Sequence, residues 1–157
     1  MNRLHKGFTG LLIILMLSGC EGQTPDFYDA AGEGYTYAQL REKWLIVNYW
    51  ATWCAPCIKE IPEFNQLARD RADIQIFGVN FDGAREQMLD NQIQKMGISF
   101  PVFAEDPAKK LGLRRPDVLP TTFLIPPGEN MRVIMLVGPQ DRNTLLAEIE
   151  QSDQADS

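Results

Sequence analysis

Two of the three cysteines in this 157-residue chain are separated by only two residues. The segment Cys54-Ala55-Pro56-Cys57 follows an apolar run, and an apolar stripe with helical spacing follows it. A cysteine at the start of a helix lies beside unpaired backbone N–H groups, which favour the anionic thiolate. Because the thiolate is the nucleophilic form, the pattern predicts a reactive Cys54 with Cys57 within reach across the first helical turn. Such a pair can cycle between a dithiol and a disulfide through a mixed disulfide.

Paired cysteines can also bind zinc or form a purely structural disulfide. A zinc site needs about four ligands, usually cysteine and histidine. The remaining candidates are His5 and Cys20, both near the N-terminus, so we expect no metal. A structural disulfide across two intervening residues would close too short a loop to restrict the unfolded chain much. The spacing therefore favours a redox-active pair, with Cys54 as the attacking thiol and Cys57 as the resolving thiol.

The N-terminal segment has the pattern of a secretory signal. A short basic head precedes an apolar run at 8–17, which is about half the length needed to span a bilayer. The run ends in Leu17-Ser18-Gly19-Cys20, which resembles the lipobox of bacterial lipoproteins. The resemblance implies that residues 1–19 are removed, that Cys20 carries a lipid, and that residues 20–24 form a tether. The alternative is a secreted protein that is cleaved after a small residue.

The lipoprotein hypothesis places the protein in a bacterial cell envelope, facing the periplasm and held at a membrane. Glu21 replaces the aspartate that tends to retain lipoproteins at the inner membrane, so the outer membrane is favoured. Only Cys54 and Cys57 then remain as free thiols, in a compartment where disulfides persist. The net charge of −6 and the lack of a basic cluster argue against nucleic acid as a partner.

Residues 25–151 alternate between strand-like and helix-like patterns, which predicts one α/β domain with a central mixed sheet flanked by helices. Strands are predicted at 45–50, 74–80, 99–103, 121–125 and 132–137. Helices are predicted at 35–43, 57–70, 84–95, 107–113 and 142–151. The helix at 57–70 should bury a stripe of Ile58, Ile61, Phe64 and Leu67, and Pro62 should kink it. Residues 152–157 are expected to form a flexible acidic tail.

The segment from Ile46 to Cys57 resembles the active-site strand and helix of TlpA-like thioredoxin-fold proteins, which include the ResA and CcmG families of envelope disulfide reductases. The similarity covers roughly residues 25–150 and includes the segments 60–62, 78–80 and 119–125. It implies a thioredoxin-like fold and a thiol–disulfide oxidoreductase without a cofactor.

The same resemblance marks Pro120 as a cis-proline that faces the cysteine pair. Leu119 would then offer its backbone to the substrate as an added strand. Trp53 and Pro56 are expected to belong to the same substrate-binding surface. Without the resemblance, Pro120 would be taken as an ordinary trans-proline before an edge strand.

Glu60 is a candidate for acid–base work beside the cysteines. Asn48 stands six residues before Cys54, where thioredoxin has a buried aspartate that handles the proton of the second cysteine. An amide cannot do this work. The resemblance implies that Glu60 serves instead, since it follows Cys57 by one helical turn and would share its face. The alternative is a solvated surface carboxylate.

A disulfide reductase is the favoured function, with a membrane electron donor of the DsbD type and protein disulfides as substrates. Apocytochrome c and copper-assembly proteins are candidate substrates, and a monomer is expected. Oxidases and isomerases of the DsbA type carry a histidine between the cysteines, whereas this chain has Ala55-Pro56. Peroxiredoxins need a proline and a threonine where Val47 and Ala51 stand. A Sco-type copper carrier, the non-enzymatic alternative, would need a distal histidine.

Overall fold

The computed structural model describes residues 23–128 and 132–155, so the predicted signal segment and Cys20 lie outside the described residues. Its elements in chain order are β1 (Phe27–Tyr28), β2 (Gly34–Tyr35), α1 (Tyr37–Leu40), β3 (Trp44–Trp50), α2 (Ala55–Asp70), β4 (Ile74–Asn80), α3 (Glu86–Met96), β5 (Thr121–Ile125), β6 (Ile134–Val137) and α4 (Arg142–Ala155). Within those two ranges, every helix is too short or too polar to cross a bilayer.

Four strands form one mixed sheet in the order β4-β3-β5-β6. β3 is parallel to β4 and antiparallel to β5, and β6 is antiparallel to β5. All seven residues of β3 are buried, which is why this strand has an almost continuous apolar sequence. The predicted mixed sheet is confirmed, and β4 and β5 have the predicted bounds.

Successive residues of β3 point to opposite faces of the sheet and bury two separate layers. Ile46 and Trp50 belong to a layer that includes the inner faces of α2 and α4 and both Cys54 and Cys57. Val47 and Tyr49 belong to the other layer, which packs against the β1–β2 hairpin and the chain around Phe103. The sheet is therefore covered by helices on one face and largely by loops on the other.

Helix α2 buries Ile61, Phe64 and Leu67 as predicted, but the prediction for Ile58 is wrong. Its buried residues are Cys57, Glu60, Ile61, Phe64 and Leu67, whereas Ile58 is 49% exposed. Each step of three residues falls about 60° short of a full helical turn. Three such steps separate Ile58 from Leu67, so these two residues lie on opposite sides of the helix. The helix continues as one element through Pro62.

Two other predictions of secondary structure are wrong. The segment 99–103 forms no strand: Val102 and Phe103 each make one isolated bridge, to Gly78 and Asp29 respectively. The segment 107–113 forms hydrogen-bonded turns instead of a helix, and it is interrupted by Gly112 in a left-handed conformation (φ 67°).

Several helix and strand bounds also differ from the predictions. α1 is confined to Tyr37–Leu40 because a capping box of Thr36 and Gln39 fixes its start. α3 begins two residues late and β6 begins two residues late. α4 extends to Ala155 and so includes most of the predicted tail; Ser152 is buried and Asp153 accepts a hydrogen bond from the Trp44 indole at 3.2 Å.

Candidate active site

Cys54 occupies the N-cap position of α2, immediately after the buried strand β3 has ended. Its sulfur accepts a hydrogen bond from the backbone N–H of Cys57 at 3.2 Å. Ala55 and Pro56 form the first two positions of the helix, where the missing N–H of proline leaves no hydrogen bond unmade. The strand–helix junction thus directs free N–H groups and the positive end of the helix dipole toward Cys54.

Cys54 and Cys57 form a disulfide in this structure, with their Cα atoms 5.3 Å apart. Cys57 is completely buried, whereas Cys54 retains 4% of its surface. A disulfide of another protein would therefore meet the Cys54 sulfur first. The structure confirms that the two cysteines are paired and gives them unequal access to solvent.

Glu60 is buried on the same face of α2 as Cys57, and only 2% of its surface is exposed. Its Oε1 accepts a hydrogen bond from Asn48 Nδ2 at 2.8 Å, and its Oε2 accepts one from the backbone N–H of Gln140 at 2.9 Å. Burial raises the pKa of the Glu60 carboxyl to about 7, although both N–H donors oppose the shift. Glu60 is thus not a solvated surface carboxylate, and it can exchange a proton near neutral pH.

Asn48 lies beneath Glu60 in the centre of the sheet and is completely buried. Its Nδ2 also donates to Thr122 Oγ1 on β5 at 3.1 Å, while its Oδ1 has no hydrogen-bond partner among the described residues. An amide can exchange its oxygen and nitrogen by rotation, so Asn48 can present an acceptor to a protonated Glu60. Glu60 therefore has a partner suited to either protonation state.

Trp53 precedes the attacking cysteine and is 63% exposed. Its indole Nε1 donates to both carboxylate oxygens of Asp82, at 2.9 and 3.2 Å. The indole also makes an edge contact with Phe81, with ring centroids 6.3 Å apart. The loop that follows β4 thus fixes the orientation of an exposed aromatic side chain next to Cys54.

The Leu119–Pro120 peptide bond is cis, as the family resemblance implies. Pro120 immediately precedes β5, whose first residue, Thr121, pairs with Tyr49 near the end of β3. Leu119 packs against the layer that contains both cysteines. The end of β3, the start of α2 and the cis-proline therefore meet at one edge of the sheet.

Some residues that contact the site were not expected from the sequence. Gln140 is 80 residues from Glu60, and Asp82 is 29 residues from Trp53. Both lie in loops, which carry no periodic pattern, so no local signal pointed to them. Thr122 belongs to a predicted strand, but its contact with Asn48 depends on the register between β3 and β5.

The AhpC/TSA family matches residues 20–134, which is well over half of the chain. The chain belongs to this family. Among its sequence relatives, the thiol-disulfide oxidoreductase ResA of Bacillus subtilis (strain 168) is 33% identical over 109 residues, which is 68% of this chain and 60% of that protein. The thiol-disulfide oxidoreductase ResA of Bacillus thuringiensis (strain Al Hakam) is 28% identical and covers 86% of this chain and 90% of that protein.

Comparison of structures confirms the thioredoxin-like fold. The crystal structure of StoA from Bacillus subtilis matches with a TM-score of 0.60 at 21% identity, over 76% of this chain and 90% of that chain. The relatives and the Cys54–Cys57 pair together confirm the prediction of a thioredoxin-like thiol–disulfide oxidoreductase.

Proposed function

We propose that this protein is a disulfide reductase of the bacterial cell envelope that acts through Cys54 and Cys57. The observation that carries the proposal is the cysteine pair at the start of α2, in which the attacking Cys54 retains 4% of its surface and the resolving Cys57 is completely buried. Trp53, Pro56, Leu119 and Pro120 form the surface that receives the substrate. No cofactor takes part, since the two thiols supply both electrons.

The reaction begins with the reduced pair. The Cys54 thiolate attacks one sulfur of a substrate disulfide, and a mixed disulfide forms as the other substrate sulfur leaves as a thiolate. Cys57 then loses its proton and attacks the Cys54 sulfur. The second substrate thiolate leaves, and the Cys54–Cys57 disulfide remains. The substrate gains two electrons, and the enzyme is oxidised to the state that the structure shows.

Glu60 is the proposed acceptor of the Cys57 proton. The two residues are separated by one helical turn and share the buried face of α2, so their side chains are neighbours. A pKa of about 7, caused by burial, lets the carboxylate take a proton from a thiol without holding it permanently. Asn48 and the backbone of Gln140 keep the carboxylate oriented throughout.

The direction of electron flow follows from how strongly the Cys54 thiolate is stabilised. A strongly stabilised thiolate makes the reduced form stable and the protein an oxidant, as with a low thiol pKa in DsbA. Here the helix end and the N–H of Cys57 stabilise the thiolate, and neither Ala55 nor Pro56 adds a charge. The pair should therefore remain a good electron donor.

Trapping the intermediate tests this proposal. Reduced Cys57→Ser protein, mixed with a synthetic peptide that holds a disulfide-bonded Cys-x-x-Cys-His segment, should accumulate a mixed disulfide at Cys54. The wild type should instead release reduced peptide and form its own disulfide, and Cys54→Ser should do neither. If Cys54→Ser captures the peptide as efficiently as Cys57→Ser does, the assignment of the two thiols is wrong.

We further propose that a lipid on Cys20 holds the protein at a membrane, facing the periplasm, where a DsbD-type donor reduces it again. The short apolar run before Leu17-Ser18-Gly19-Cys20 supports the anchor, and Glu21 favours the outer membrane. Apocytochrome c and copper-assembly proteins are the proposed substrate classes. The Cys20→Ala variant should leave the membrane fraction that needs detergent for extraction; equal retention of parent and variant would contradict the anchor.

A further inference from the structure

Arg115 joins three parts of the chain beside the active site. Its Nε donates to Asp106 Oδ2 at 2.9 Å, and its Nη2 donates to the backbone carbonyl oxygen of Phe81. The guanidinium also lies 4.5 Å from the centre of the Phe81 ring, a cation–π contact. Five residues further along the chain is Pro120. Arg115 therefore connects the segment that carries the cis-proline to the loop after β4.

Phe81, one of the residues that Arg115 contacts, is itself in contact with Trp53. Phe81 is held by a hydrogen bond from its N–H to the Trp50 carbonyl oxygen at 2.8 Å, and its ring contacts the Trp53 indole. Asp82, the next residue, binds the Trp53 Nε1. Arg115 thus packs on the same phenylalanine ring that supports the exposed tryptophan beside Cys54.

The Asp106 side of the connection is fixed to the centre of the sheet. Asp106 Oδ1 accepts hydrogen bonds from the Tyr49 hydroxyl at 2.6 Å and from the backbone N–H of Ala108 at 2.9 Å. Tyr49 is a completely buried residue of β3. The carboxylate that binds Arg115 therefore has a fixed position, and a fixed carboxylate can position a partner.

We propose that Arg115 is a positioning residue that holds residues 116–120 against the Phe81–Trp53 wall and so sets the shape of the cleft that receives a substrate polypeptide. This inference rests on the proposed function and adds a determinant of protein-substrate recognition to it. Arg115 does not touch the cysteines, so it should affect how a folded or extended polypeptide is received and leave the sulfur chemistry itself unchanged.

Arg115 is suited to this role by its geometry more than by its charge. Its side chain is 50% exposed, and exposed ion pairs contribute little to the stability of the whole fold. Its planar guanidinium can bond to the Asp106 carboxylate and the Phe81 carbonyl while stacking on the ring, which a lysine cannot do. Arg114 is a matched control, because its side chain is 89% exposed and its ion pair is with Asp117, at 3.2 Å.

The test compares two oxidants of the reduced enzyme: the disulfide-bonded Cys-x-x-Cys-His peptide and glutathione disulfide. In Arg115→Ala and Arg115→Lys, the second-order rate constant with the peptide should fall about tenfold, while the rate with glutathione disulfide stays within twofold of the wild type. Arg114→Ala should match the wild type with both. An unchanged peptide rate in Arg115→Ala would overturn the proposal, as would an equal loss with both oxidants, which would place the effect in the chemistry.

A second measurement follows the wall itself. In protein labelled with 5-fluorotryptophan, the ¹⁹F resonance of Trp53 should shift in Arg115→Ala, and the resonances of Trp44 and Trp50 should not. An unmoved Trp53 resonance would overturn the proposal even if rates change. If wild-type protein fails to reduce the peptide, the proposed function is contradicted; the Trp53 shift then still reports whether Arg115 positions the wall.

Discussion

At the scale of single residues, the site depends on how burial changes the chemistry of ordinary side chains. Cys54 and Cys57 are chemically the same, yet Cys54 caps a helix and retains a small accessible area, whereas Cys57 is completely buried. Glu60 would be fully ionised at neutral pH if solvated, and burial brings its pKa to about 7. Each residue obtains its chemical environment from the element on which it lies.

The raised pKa of Glu60 predicts a pH dependence of stability. The folded protein holds this proton up to about pH 7, whereas the unfolded chain loses it near pH 4.5. Because the folded state binds more protons in that interval, the free energy of unfolding should fall as pH rises from about 4.5 to about 7, by about 3 kcal/mol at most. Denaturant unfolding of the oxidised protein at pH 5 and pH 8 measures this fall.

In the variant Glu60→Gln, the free energy of unfolding should not show this fall with rising pH, because an amide does not titrate. Glutamine can keep both contacts: its oxygen accepts from the backbone of Gln140, and its NH₂ group donates to Asn48 Oδ1, which has no partner in the wild type. Glu42→Gln, at an exposed position before β3, serves as the control and should retain the fall. A Glu60→Gln profile parallel to that of the wild type would contradict a buried, proton-binding Glu60.

At the scale of elements, the sequence predicts best what is buried on all sides. β4 and β5 have the predicted bounds and β3 differs by one residue, since a continuous apolar run between polar turns has few other solutions. The predictions for the segments 99–103 and 107–113 were wrong. Their apolar residues, such as Phe103 and Leu111, are buried in the layer that contains Val47 and Tyr49 without forming a regular strand or helix. Tertiary packing decided their conformation.

Helix α2 shows the same limit within one element. Its existence and its N-terminus follow from the cysteine motif, and the spacing of its apolar residues predicts most of its inner face but not the side on which Ile58 lies. The three-residue spacing predicts a buried Ile58, which the structure exposes; Glu60, expected on the face of Cys57, is buried there. The contact between Glu60 and the backbone of Gln140 depends on the chain crossing the sheet and returning, which no local pattern encodes.

At the scale of the whole molecule, three distant segments supply the site: the β3–α2 junction, the loop after β4, and residues 115–120. The sheet brings them to one edge, because β3 and β4 are parallel and end together and β5 begins where they end. Thioredoxin-like structure is thereby sufficient to build the redox centre. The hydrogen bonds of Asp82 and Arg115 join these segments, and we propose that Arg115 thereby adapts the centre to its substrate.

The reduction potential of the Cys54–Cys57 pair tests the central claim most directly. We expect a value between about −180 mV, the potential of protein disulfide isomerase, and about −270 mV, the potential of thioredoxin. Equilibration in dithiothreitol or glutathione buffers, followed by alkylation and mass measurement, gives the value. Ala55→His, a change at an exposed position, should raise the potential because an imidazolium would stabilise the Cys54 thiolate. A wild-type potential near the −120 mV of DsbA would contradict the account and make the protein an oxidant.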